Sequence, residues 1–143
     1  MSDTISSLIN AIYNLLTADA TLRTAMGGTV RMYPVWAPPD ATFPYLVHRI
    51  DSGPGGVWAG RASTYYLDIW GNGTDYTEIL AIRQRIIGLL DQYQFTTTDV
   101  KNTRLELQTD GFIPESDMGI WHYAFQFNLY YWRQAEVLTI LAR

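Results

Sequence analysis

Ile120-Trp121-His122-Tyr123-Ala124-Phe125-Gln126-Phe127-Asn128-Leu129-Tyr130-Tyr131-Trp132 is the longest alternating stretch in the chain. Its odd positions, Trp121, Tyr123, Phe125, Phe127, Leu129 and Tyr131, form one wholly apolar face, while His122, Gln126 and Asn128 mark the other. A period of two with one apolar face describes a half-buried antiparallel strand with helices packed on one side.

The segments on either side fit that picture. Arg104 to Thr109 alternates with Leu105 and Leu107 inward, and Asp110 to Gly119, built from Gly, Pro, Glu and Asp, is expected to be a mobile loop. Gln94 to Asn102 is polar and threonine-rich and reads as irregular. Before it, Ile79, Ile82, Ile86, Leu89 and Leu90 lie on one stripe of a helix that Thr74 or Asp75 caps and that ends near Asp91. Ala62 to Trp70 is a strand with Tyr65, Leu67 and Ile69 on one face and Tyr66, Asp68 and Trp70 on the other. Tyr45 to Asp51 is another, and a short one spans Thr29 to Tyr33. Pro34, Pro38, Pro39 and Pro44 make the segment between these two strands an extended loop that cannot join a central sheet. At the start, Ile5, Leu8, Ile9, Ile12, Leu15 and Leu16 fall on one helical face running to about Thr17, and Asp19 caps a second short helix that Gly27-Gly28 stops.

Three strands before the main helix and two after it indicate α+β: an antiparallel or mixed sheet of four to five strands packed by the N-terminal helix and the central helix. One domain over residues 1–133 is expected, followed by an apolar tail, 134–143, in which Val137, Leu138, Ile140 and Leu141 need a neighbour to cover them.

Composition narrows the function classes. With 143 residues, 48% hydrophobic and 17% charged, the chain is an ordinary globular domain and not a disordered segment. Its 5 Trp, 10 Tyr and 5 Phe exceed what a small core needs, which places some of them at contacts with other molecules. The absence of Cys excludes a disulfide framework, a thiolate zinc site and Cys-nucleophile catalysis. A net charge of −4 with no basic stripe runs against a phosphate-tracking protein; the densest basic pairing is Arg83 with Arg85. Nine of the ten basic residues are Arg, which suits docking surfaces better than Lys does. No apolar run approaches the roughly 18 residues of a membrane span. The N-terminus has Asp3 and no basic region, so a soluble intracellular product without membrane contact is expected.

No motif for catalysis is present: no Gly-x-Ser-x-Gly elbow, no Walker loop, no His-Glu-x-x-His. Gly53, Gly55 and Gly56 follow a strand but precede another strand, so they read as a hairpin loop and not as a phosphate cradle. The one constellation with chemical potential is His48, Asp68 and His122, which would line a pocket in a small-molecule-binding or enzymatic α+β domain. Set against this are two strand histidines satisfied at the sheet surface. Glu115 and Asp117 read as solvated loop acids, and no catalytic, cofactor or metal residue is assigned. What remains is surface chemistry for partners. Trp36 and Trp58 lie in Pro- and Gly-rich loops, Trp132 and Arg133 end the last strand, and Arg61, Phe112, Leu138 and Leu141 complete the candidate interface residues.

The succession Leu15-Leu16-Thr17-Ala18-Asp19-Ala20-Thr21-Leu22, Gly27-Gly28, Tyr33-Pro34, a proline-rich loop, Phe43-Pro44-Tyr45-Leu46-Val47 and Leu67-Asp68-Ile69-Trp70 resembles the tail terminator (tail completion, head–tail joining) proteins of long-tailed bacteriophages. The resemblance runs from Thr4 to about Arg133. It implies a structural protein of the virion, not an enzyme, assembled in the host cytoplasm into a homohexameric ring at the tail–head junction. It implies contacts with the tail tube protein and the head–tail connector protein, no cofactor, and a lumen through which DNA passes without specific binding. Acidic subunits would let the genome slide without sticking. A DNA-binding neck protein is the third class, and the acidic balance speaks against it.

Overall fold

Leu8, Ile12 and Leu16, spaced four apart, are fully buried along one face of the first helix, α1 (Thr4–Thr17). A computed structural model describes residues 4–51, 60–73, 76–98 and 100–133 of the chain. After α1 come α2 (Ala20–Ala25), β1 (Met32–Pro34), β2 (Tyr45–Asp51), β3 (Gly60–Asn72), α3 (Thr77–Leu90), β4 (Gln94–Phe95), β5 (Val100–Ile113) and β6 (Ile120–Arg133). The strands form one curled sheet in the order β1-β2-β3-β6-β5-β4, with β1 parallel to β2 and every other pair antiparallel.

The α+β class stands, with six strands where four to five were expected. The additional strand is β4, two residues within the stretch read as irregular. The larger correction concerns β5, which begins at Val100 and continues through Asp110 to Ile113, so that only Pro114–Gly119 remain as the connection to β6. Its alternation is interrupted by register shifts at Lys101/Arg104 and Leu107/Thr109. An extra residue resets which face each side chain takes, so the strand loses its period of two in sequence while keeping its ladder. β3 is likewise longer than its apolar alternation, and β1 starts at Met32.

The helices cover one face of the sheet. Phe125, Phe127 and Leu129 of β6, Tyr65, Leu67 and Ile69 of β3, and Leu46 of β2 are all fully buried there against Leu8, Ile12, Leu16, Ile82, Ile86 and Leu90. Asp19 joins the helices. Its carboxylate accepts the Leu22 N–H at 2.8 Å as the cap of α2, and receives Arg85 of α3 at 2.8 and 2.6 Å. The Arg85 hydrogen bonds are the main reason the Asp19 carboxyl lies below its usual pKa. The residue before α3 is Tyr76, which makes no side-chain cap; Thr74 and Asp75, the caps expected, lie outside the described residues.

At Gly71 the sheet lies tight against α3. A Cβ there would lie 2.5 Å from Cδ1 of Ile79, itself 1% exposed and unable to swing into solvent. Gly71→Ala is expected to cost about 1–3 kcal/mol by overpacking. Ile79→Val removes the clashing methyl and should recover part of that loss in the double variant, read from urea midpoints.

Candidate functional site

The helix-free face of the sheet carries Tyr45, Arg49, Tyr66, Asp68, Trp70, His122, Gln126, Asn128 and Tyr130, most of them half-buried against one another. Arg49 lies 3.9 Å over the Tyr66 ring and 2.6 Å from Asp51. Trp70 stacks on His122 with centroids 3.8 Å apart, and Tyr45 stacks on Trp70. His122 is 8% exposed. Its Nδ1 is 2.8 Å from Glu115 Oε1 of the β5–β6 connection, and its Nε2 is 3.2 Å from Asp68 Oδ2 of β3, an ion-pair separation outside hydrogen-bond geometry. Burial alone would lower the imidazole pKa, but the Asp68 and Glu115 carboxylates together outweigh it and hold the pKa above its ordinary value. Glu115 is therefore a partner of His122 and not a free loop acid.

His48 is elsewhere. Paired with Leu67 in the ladder, it points to the helix side, 2% exposed, with Nδ1 2.7 Å from the Tyr65 hydroxyl. Burial pushes its pKa down to about 4, so it is neutral at pH 7. The sheet itself separates His48 from Asp68 and His122, and the pocket imagined around these three residues does not form. Both ring nitrogens of His122 face carboxylates, and among the described residues no three His, Asp or Glu side chains are grouped to hold a metal ion.

The basic pair on α3 is neutralised. Arg83 binds Asp110 at 2.8 Å and the Tyr123 hydroxyl at 2.5 Å, while that hydroxyl donates to Asp110. Arg85 is held by Asp19 as described. Neither guanidinium is left to track phosphate.

Two exposed apolar patches stand out at opposite edges of the sheet. At the β1 edge, Trp36 is 80% and Val35 61% exposed. The base of their loop is pinned by Arg31, whose guanidinium donates to the carbonyls of Met26, Thr42, Phe43 and Pro44. Val35 has φ of 67°, and the Trp36 N–H reaches the Pro34 carbonyl at 2.7 Å. This is a γ-turn of the positive-φ hand, rare and strained, and unusual for a β-branched residue. The Val35 N–H, bonded to the His48 carbonyl at 2.9 Å, holds it in place. Strain of this kind persists where the surrounding structure over-determines it and clusters at working sites.

At the other edge, Phe112 packs on Tyr76, Trp121 and Tyr123 with centroids 5.8, 6.2 and 4.9 Å away. Tyr76 and Met118 beside it are 50% and 99% exposed. Phe112, Trp121 and Met118 line a recess of about 390 Å³ at the β5–β6 turn. Tyr76, Met118 and Val35 were not anticipated as surface groups. No spacing rule marks an exposed Tyr before a helix, and Met118 sits in what sequence makes an ordinary polar loop.

The remaining candidates fall as follows. Trp132 is half-buried at the far end of β6 from that turn, opposite Gly60 and Lys101. Arg61 and Arg133 occupy ladder positions opposite Tyr131 and Val100. Trp58, Leu138 and Leu141 lie outside the described residues.

Neither a protein-family model nor a curated protein matches the sequence. The fold is similar to that of a chain in a solved structure described as "Virion of native gene transfer agent (GTA) particle", with a TM-score of 0.73 over 92% of this chain and 99% of that one. The two are 14% identical, so what they share is the fold.

Proposed function

We propose that this chain is a structural subunit of a phage-like virion that caps the tail tube, ends its polymerisation and joins the tail to the head connector as a homohexameric ring. The observation that carries this reading is the fold similarity, over 92% of this chain, to a gene transfer agent virion chain. The two apolar patches at opposite sheet edges support it, because head-to-tail ring contacts need two different surfaces on each subunit. In this role the protein performs no catalytic step, holds no cofactor, and contacts copies of itself, the tail tube protein and the head–tail connector protein. It acts at the tail–head junction after assembly in the host cytoplasm. A formal charge of −4 per subunit favours a ring whose lumen repels DNA phosphate and lets it pass.

Light scattering behind a sizing column, across a wide concentration range and with and without tail tubes, tests the ring. The expected species has about six times the 16.3 kDa subunit mass. A monomer under all of those conditions would sink the proposal.

A further inference from the structure

The outer edge of β5 is covered over only part of its length. β4 pairs with Thr103 and Arg104. Leu105 exchanges hydrogen bonds with Gln92 and Tyr93 at 2.8 and 3.0 Å, and the Leu107 N–H donates to Asp91 Oδ1 at 2.9 Å. From Thr109 to Ile113 the strand pairs with β6 alone, and among the described residues no strand lies on its other side. Edges are ordinarily protected by proline, by lysine, by a bulge or by shortness. This run has no proline before Pro114 and no lysine, and its bulge sits at the covered end. Its one charge, Asp110, is drawn to Arg83 and Tyr123. Phe112 and Ile113 are 44% and 42% exposed on it. The opposite edge of the sheet is blunted, since β1 has three residues and ends in Pro34, which has no N–H to offer.

We infer that residues 134–143 of a second copy add to this edge as a strand, so that neighbouring subunits are tied by an exchanged arm. The inference rests on the self-assembly proposed above and names the contact that carries it. Ala135-Glu136-Val137-Leu138-Thr139-Ile140-Leu141-Ala142 has no Gly or Pro, and at its centre Val137, Thr139 and Ile140 are β-branched residues that favour a pleated, half-buried surface. In strand addition the backbone supplies the hydrogen bonds and alternate apolar side chains supply the fit.

Reach makes the donor a neighbour. β6 ends at Arg133 opposite Val100, whereas Ile113 pairs with His122, eleven β6 residues away. That is about 36 Å at a rise of ~3.3 Å per residue. Residues 134–143 span at most about 33–36 Å when straight. They would first have to turn back around β4, which leaves too little chain to line the run in their own subunit.

Amide hydrogen exchange over residues 108–113, measured on the full-length protein across a dilution series with its mass followed in parallel, tests the contact. The comparison variant is Leu138→Pro/Ile140→Pro, which removes two backbone donors from the arm. Slow exchange that appears with association, and that becomes on the order of tenfold faster or more in the proline variant, is the expected result. If that protection occurs in an oligomer that is not a ring, the arm contact stands and the ring fails. A ring whose 108–113 amides exchange freely, or stay equally slow in the variant, overturns the arm and leaves the ring intact. Equal protection in wild-type monomers overturns it too, because the arm then pairs within its own chain. Monomers at every concentration with an unprotected edge overturn both.

Discussion

Between pH 6.5 and pH 4 the protein is expected to lose about 3 kcal/mol of stability through His48 alone. The side chain is 2% exposed and its pKa is pushed by burial from the ordinary 6.5 to about 4. Above pH 6.5 the imidazole is neutral whether the chain is folded or not, so its contribution is complete. As pH falls below that value the unfolded chain takes a proton that the folded one refuses, and stability drops until the folded form also protonates near pH 4. The Asp19 and Asp110 carboxyls, both held below their ordinary 3.8, act only further into acid and leave this window to His48. His122 works in the opposite sense. Its raised pKa gives a contribution that is full below 6.5 and is lost as pH rises through the folded value. Melting temperature against pH should therefore fall by on the order of 10 °C on the acid side. His48→Leu/Tyr65→Phe removes the titrating ring together with the hydroxyl that would be left unpaired, and should abolish that slope. A slope that persists in the double variant would assign it to another group.

The fate of the two histidines shows what alternation can and cannot convey. Both sit mid-strand among apolar neighbours, and sequence places both on the less apolar face. For His122 this is correct, because β6 has a strong phase: five large side chains from Tyr123 to Tyr131 bury on one side. For His48 the phase of β2 is weak, since Tyr45 and Val47 are as apolar as Leu46 and Ile50, and only the ladder with Leu67 reveals which side faces the helices. The same limit hides β5. Leu105 and Leu107 keep a period of two, the shift at Leu107/Thr109 breaks it, and Asp110-Gly111 then looks like a turn although it continues the ladder. Asp110 is at home in a strand because Arg83 and Tyr123 meet it there, a pairing between residues 27 and 13 positions apart that no local pattern carries. The two long helices, α1 and α3, were legible because their stripes repeat over 14 residues each with nothing to interrupt them. Of the interface candidates, Trp36 and Phe112 could be singled out because a large aromatic in a Pro- or Gly-rich setting has few ways to reach a core. That Val35 takes a positive φ next to the exposed Trp36 is a property of backbone angles alone.

Trp36→Ala is expected to weaken self-association by on the order of 30-fold or more, about 2 kcal/mol, while leaving the melting temperature of the dissociated subunit unchanged. Both halves follow from the same geometry. With 80% of its surface exposed, the indole contributes little to the subunit's own core, so its removal opens no cavity. In the proposed ring the same indole would serve as a rigid, mostly apolar anchor with one N–H to satisfy, the kind of group that dominates interfaces. The loop beneath it is built to keep it there. Arg31 ties the carbonyls of Met26, Thr42, Phe43 and Pro44, and the γ-turn at Val35 fixes the direction in which the indole leaves the sheet edge. Val35→Gly separates presentation from contact. It relieves a positive φ of 67° and should stabilise the free subunit or leave it unchanged, with a gain of at most about 1 kcal/mol. Yet it frees Trp36 to sample other directions, so association should weaken although no contacting side chain has been lost. A variant that is both less stable and fully competent to assemble would show instead that the turn serves the subunit's own fold. Sedimentation equilibrium of wild type, Trp36→Ala and Val35→Gly, alongside urea unfolding at a dilution where all three are monomers, distinguishes these outcomes.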